Sequence, residues 1–232
     1  MEPVNHFQCG QASPLRSAGA SVVQHAQGEG ASREVLCRLL AACYYEPSLA
    51  FTEERVFDAM HLAAAQLDPD MAPLARQMGD AFSVEEPQSL LVDYTRLFLG
   101  PVDTLAKPYG SVWLEQRTTL MQESTVELLD LYAEGGFEMD ESFRDLPDHI
   151  AAQLEFLYLL IYRENEARYN GDAAALATVE DVRKRFLEGH LGQWFGEFAT
   201  AMRGGSQTIF YRTLADLTEK FVRYEMGRSV TV

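Results

Sequence analysis

An all-α fold is the expectation from this sequence, and three observations carry it. Apolar residues recur at helical spacing (i, i+3, i+4, i+7) in window after window, no segment alternates with period two over a useful length, and Pro, Gly and Asp punctuate the gaps. The predicted architecture is a single helical domain of about eight to ten helices over residues 32–226. A mobile tail of residues 1–31 precedes it and a short tail, 227–232, follows.

The elements follow in order. Residues 1–31 are rich in Gly, Ser, Ala and Gln with no apolar period. Ser32 can cap a first helix in which Val35, Leu36, Leu39, Leu40, Cys43 and Tyr44 form one stripe, and Glu46-Pro47-Ser48 ends it. Thr52-Glu53-Glu54 caps a second helix running to about Leu67, and a shorter one covers about 70–80. Pro87 opens a fourth, whose stripe is Leu90, Leu91, Tyr94, Leu97 and Phe98 and whose stop is Gly100-Pro101. An irregular connection over 100–110 leads to helices at Val112 to about Gln122 and Ser124 to Glu134, then an acidic connection over 137–147. Ile150, Leu154, Leu157 and Ile161 mark the strongest helix, and Phe156, Tyr158, Leu159 and Leu160 fill its other faces, so it is the expected central helix. Helices at about 173–187, 190–203 and 207–226 complete the chain.

Composition bounds the function. In 232 residues, 19 Lys and Arg stand against 35 Asp and Glu, a net charge of −16. Phosphate backbones and anionic lipid surfaces are bound through Lys and Arg, so nucleic acid and membrane surfaces are excluded as partners and basic ligands are favoured. The longest apolar run, Phe156 to Tyr162, is far short of the ~18 residues of a membrane span, and the first thirty-one residues hold neither a secretory h-region nor a twin-arginine pair. The expected location is the cytoplasm. Cys9, Cys37 and Cys43 contain no CxxC pair and read as reduced thiols, the latter two in the core.

The usual signatures of chemistry are missing. None of His6, His25, His61, His149 or His190 follows a Glu by three residues, as paired-metal helical bundles require, and no P-loop, GxGxxG or GxSxG pattern occurs. Neither a metal, nor a cofactor, nor catalytic residues are expected.

Five stretches remain. They are Tyr94-Thr-Arg-Leu-Phe98-Leu-Gly100-Pro101; Pro108-Tyr109-Gly110-Ser111-Val-Trp113-Leu-Glu115; Leu146-Pro147-Asp148-His149-Ile150 running into Leu154-Glu155-Phe156-Leu157; Phe186-Leu-Glu-Gly-His190-Leu-Gly-Gln-Trp194; and Phe210-Tyr211. In this order and spacing the chain resembles the TorD/DmsD family of cytoplasmic chaperones for molybdenum enzymes over about residues 32–226. The resemblance implies a non-catalytic helical chaperone. Such a protein binds the twin-arginine signal peptide of a molybdoenzyme precursor of the dimethyl-sulfoxide-reductase type and delays export until the cofactor is inserted. It also implies that the Tyr-Gly-Ser-x-Trp loop and the Pro-Asp-His junction recognise the leader, here Tyr109, Gly110, Ser111, Trp113, Pro147, Asp148 and His149. Relatives often carry Glu before the Ser, where this chain has Gly110.

The residues are compatible with that implication and have plainer readings too. Residues 123–155 carry ten acids (Glu123, Glu127, Asp130, Glu134, Glu138, Asp140, Glu141, Asp145, Asp148, Glu155) against Arg144, which suits a basic leader but equally a solvated helical face. Tyr109 and Trp113 could anchor an apolar segment or belong to the core. Asp148 would cap the central helix whether or not it meets an arginine, leaving His149 in the first turn. His190 and Trp194, four apart, read as packing. Two rivals stand beside the main reading: a NarJ-like assembly factor for a cytoplasmic molybdoenzyme, and a helical metal-dependent hydrolase built on His149.

Overall fold

A computed structural model describes residues 7–8, 28–100, 104–114, 123–136, 138–139 and 145–228. The fold is all-α, as the periodicity predicts. The first helix, α1 (Glu29–Ala42), starts three residues earlier than expected, because Gly28 at φ 130° takes a backbone conformation open to glycine at little cost. Ser32 is therefore inside the helix, buried, and its hydroxyl donates to Gln66 Oε1 at 2.8 Å instead of capping.

The single helix expected over 52–67 is two, α2 (Ala50–Glu53) and α3 (Val56–Leu67). They part at Arg55, whose left-handed φ of 54° no apolar pattern could announce. Next come α4 (Met71–Val84) and α5 (Pro87–Tyr94), with α4 outrunning the expected 70–80 because Ala81 and Phe82 are buried. Phe82 packs on Phe57 and Phe210 at 4.9 and 5.3 Å between ring centres. A π-helical turn, Thr95–Leu99, extends α5. Within α5, buried Asp93 accepts the backbone N–H groups of Gln207 and Thr208 at 3.0 and 2.9 Å, fixing the start of the last helix.

Beyond the connection lie α6 (Gly110–Leu114) and α7 (Glu123–Glu134); the rest of the helix expected over 112–122 falls outside the described residues. The long α8 (Ile150–Asn170) is the central helix, with Ile150, Leu154, Phe156, Leu157, Leu160 and Ile161 all essentially inaccessible. Each such side chain contributes roughly 1.5–3 kcal/mol relative to exposure, which is why this helix organises the others. It packs chiefly on α1 and on α9 (Ala173–Phe186). A second π-helical turn, Leu187–Leu191, joins α9 to α10 (Gly192–Gly205), and α11 (Ile209–Arg228) closes the bundle. Two of the five singled-out stretches thus contain π-helical turns.

Four helices meet at a buried ion cluster. Arg33 of α1 donates to Glu225 of α11 at 2.7 Å and to Glu164 of α8 at 3.0 Å, and Arg183 of α9 reaches Glu225 at 3.3 Å. Among the described residues the only strand pairing is Phe7–Gln8 (β1) against Glu138–Met139 (β2), antiparallel. No described helix is long and apolar enough to cross a membrane.

Candidate functional site

The loop before α6 and the entry to α8, 37 residues apart at Ser111 and Asp148, meet in space. Ile150 N–H donates to Pro108 O at 2.8 Å and Gly110 N–H to Asp148 O at 3.0 Å, so Tyr109 and His149 face each other as an antiparallel bridge. Their rings lie edge to face, 5.5 Å between centres.

The capping roles differ from expectation. His149, in extended conformation, is the N-cap of α8, its Nδ1 accepting the Ala151 N–H at 3.1 Å. Asp148 turns the other way: its Oδ2 accepts the Ser111 N–H at 2.9 Å and so stitches the start of α6 to the start of α8. With 2 % exposure it is part of the interior. The physical reason is competition. Once the backbone bridge sets the two segments side by side, the first-turn N–H of α6 is the nearer unsatisfied donor, and the next residue satisfies α8.

A second layer holds this joint. Gln153 Nε2 donates to Asp148 O at 2.9 Å, Trp194 Nε1 to Gln153 Oε1 at 3.3 Å, and Tyr132 Oη to Pro147 O at 2.9 Å. Gly110 is required by that layer, since a Cβ there would stand 2.8 Å from Gln153 Nε2 and 2.9 Å from Trp194 Nε1. A Glu in its place would need the space those side chains fill. Trp194 and His190 are buried, as a packing role demands. Trp113 is half-buried, edge-on to Phe198 at 6.2 Å, with Nε1 donating to Lys107 O at 2.8 Å; it belongs partly to the core and partly to the surface.

All seven predicted residues are therefore brought together, but unequally. Gly110, Ser111, Asp148 and His149 are interior, and Tyr109, Trp113 and Pro147 remain half-exposed. Of the outer rim, the sequence offered Asp145 and Glu155 among its ten acids but not Tyr45, nor the pairing of these acids with tyrosines. Tyr109 Oη donates to Asp145 Oδ1 at 2.8 Å, and Tyr45, in the turn that follows α1, donates to Glu155 Oε1 at 2.8 Å. Burial first, then the Asp145 hydrogen bond and charge, push the Tyr109 hydroxyl well above its usual range; burial and then Asp145 push Tyr94 up to about 12. Asp145 acts on Tyr45 as well, after burial and Glu155. Three tyrosines thus share one carboxylate's field. The Tyr44-Tyr45 doublet was the available signal, and the apolar stripe of α1 concealed it. The rim combines carboxylates with aromatic rings, a chemistry suited to a guanidinium or ammonium group next to apolar surface. Among the described residues no three His, Cys, Asp or Glu side chains converge as a metal site would need.

A family model described as the nitrate reductase delta subunit matches residues 64–200, more than half of the chain. The chain belongs to this family. Among curated proteins it is similar to the chaperone protein TorD of Vibrio parahaemolyticus, 26% identical over 136 residues, 59% of this chain and 62% of that relative. The match therefore spans less than two thirds of that relative's length. It is similar as well to the Tat proofreading chaperone DmsD of Salmonella typhimurium, 27% identical over 79% of this chain and 83% of the relative. The perchlorate reductase assembly chaperone protein of Dechloromonas aromatica is 26% identical over 76% and 79%. Among solved structures, a redox enzyme maturation protein of Archaeoglobus fulgidus superposes with a TM-score of 0.51 at 21% identity, covering 82% of this chain and 93% of that one, a likeness of fold. The three curated relatives are named for chaperoning and assembly, and the match to the family model runs through both halves of the joint at 108–113 and 146–150.

Proposed function

We propose that the protein is a cytoplasmic, non-catalytic chaperone that binds the twin-arginine signal peptide of a molybdoenzyme precursor of the dimethyl-sulfoxide-reductase type. It holds the precursor until the cofactor is inserted, before export. One observation carries this reading: two segments distant in sequence, each expected to recognise a leader, are locked into one joint whose half-exposed rim pairs aromatic rings with carboxylates. In this reading Tyr109, Trp113 and Pro147 contact the leader, while Gly110, Ser111, Asp148 and His149 hold the contact surface in place. The relatives' names, TorD and Tat proofreading chaperone DmsD, support the same direction. The mechanism is sequestration, and no bond is made or broken.

The NarJ-like alternative, assembly of a cytoplasmic enzyme through its N-terminus, is favoured by the description of the matching family model as nitrate reductase delta subunit. A pull-down with the tagged full chain from its native host, with bound proteins identified by mass spectrometry, separates the two. The proposal expects a precursor carrying a twin-arginine leader, and capture that is lost when the leader is deleted. Capture of an enzyme subunit without such a leader would favour the alternative. Retention of a molybdoenzyme irrespective of its leader would contradict the proposal.

A further inference from the structure

Among the described residues one strand pairing exists, and it ties the start of the chain to the connection between α7 and α8. Phe7 faces Met139 and Gln8 faces Glu138 across an antiparallel ladder of two residues. Met139 packs against the core, which fixes β2 in place. The other strand, β1, comes from far away in sequence, with residues 9–27 between it and the first described residue before α1. A ladder this short is marginal in water. Charge does not strengthen it either. Residues 1–8 carry Glu2 and neither Lys nor Arg, while residues 137–147 carry Glu138, Asp140, Glu141 and Asp145 against Arg144. An anchored strand edge is thus covered by a weak occupant from the same chain, and such an edge is a template for any extended segment that reaches it.

We propose that β1 is an autoinhibitory strand: in the free protein the N-terminal segment covers the Glu138–Met139 edge, and an extended basic segment of the client replaces it by strand addition. The proposal rests on the leader-binding reading above. Strand addition draws its affinity from main-chain hydrogen bonds and so tolerates varied side chains. Selection therefore falls to charge, and the acids around β2 favour a basic newcomer over the chain's own end, which carries Glu2. The covalent connection keeps the effective concentration of β1 high, so a neutral extended peptide with the same two backbone contacts does not displace it. Apparent affinity for every peptide is lowered by the fraction of molecules whose edge is covered, and only a segment with the added charge contact overcomes that cost. When the client leaves, β1 returns, and the edge is never left open to pair with other chains.

The test is calorimetric titration of the full chain with a synthetic twin-arginine leader peptide, using two variants that move the strand in opposite directions. Phe7→Pro with Gln8→Pro removes both backbone donors of β1 and so releases it. Gln8→Cys with Glu138→Cys, in a Cys9→Ser background, puts thiols on a directly opposed pair, where a disulfide locks the strand and a reductant frees it. Cys37 and Cys43 are buried and stay out of the exchange. The proline variant is expected to bind the leader about threefold or more tighter than wild type, with its melting temperature unchanged. The oxidised cysteine variant is expected to bind about tenfold or more weakly than its reduced form. Equal affinity of the oxidised and reduced forms, or a proline variant no tighter than wild type, would overturn the autoinhibitory role and leave the function reading standing. Failure of the cysteine pair to oxidise would overturn the strand pairing and the proposal with it. No leader binding by wild type, proline variant or reduced form would overturn the function reading and, with it, the proposal.

Discussion

At the scale of single residues, the joint assigns different work to neighbours that look alike in sequence. His149 caps α8 through Nδ1, so removing the acceptor exposes a first-turn N–H at the head of the most buried helix. His149→Ala is expected to cost about 0.5–2 kcal/mol, the range for losing a side-chain cap, whereas His149→Asn should recover much of it, since Asn is a strong N-cap. Denaturant unfolding of both variants checks this, and equal losses would show that the ring's packing on Tyr109 matters more than its cap. Gly110→Ala should be the more damaging change despite its size. The added methyl meets Gln153 and Trp194 at under 3 Å, and overpacking of this kind costs roughly 1–3 kcal/mol. If Gly110→Ala unfolds at the wild-type denaturant midpoint, the packing described around the joint is wrong. The swap of roles between Asp148 and His149 was not legible in the sequence. Both residues are acceptable caps, and the choice depends on Ser111 arriving from 37 positions upstream, a contact no local pattern encodes.

At the scale of elements, the register of the helices was legible and their interruptions were not. Leu36, Leu40, Leu154, Leu157, Ile161, Leu214 and Phe221 sit in the core where their spacing puts them. The left-handed break at Arg55 and the two π-helical turns depend on packing between elements, and neither leaves a period in the sequence. The ion cluster was equally hidden, because Arg33, Glu164, Arg183 and Glu225 look like ordinary surface charges until four helices close over them. Removing one member leaves an uncompensated buried charge, so Arg33→Ala should cost about 3–5 kcal/mol, far more than deleting the exposed Arg55 of the Arg55–Asp58 pair. The cluster also has a pH signature. Burial acts to raise the Glu164 carboxyl, but hydrogen bonds and charge from Arg33, with Arg183 and Arg168, hold it below its ordinary value of 4.5. A depressed folded-state value means the stabilisation is fully present above about pH 4.5, where the unfolded chain is ionised, and is lost as pH falls through the folded-state value. Melting temperature measured downward from pH 6 should fall below that point in wild type and fall less in Glu164→Gln, which starts lower. Parallel pH profiles would show that other carboxylates govern acid unfolding.

For the whole molecule, a chain of net charge −16 gathers carboxylates and tyrosines on the rim of one joint, and that joint is made from the two segments expected to recognise a leader. The fold class could be read from periodicity, and five short stretches named the residues that the structure brings together at the joint. Which of these residues face outward could not be read, because exposure is decided by the backbone bridge between Tyr109 and His149. On the proposed reading this rim captures a basic leader through charge as well as apolar contact, and calorimetric titration of a twin-arginine leader peptide at two ionic strengths is the deciding measurement. With exposed charges screened over roughly 10 Å at 0.1 M salt, affinity should fall several-fold between about 0.05 and 0.5 M salt and fall again when both arginines become glutamine. An affinity indifferent to salt and to the arginines would contradict the account.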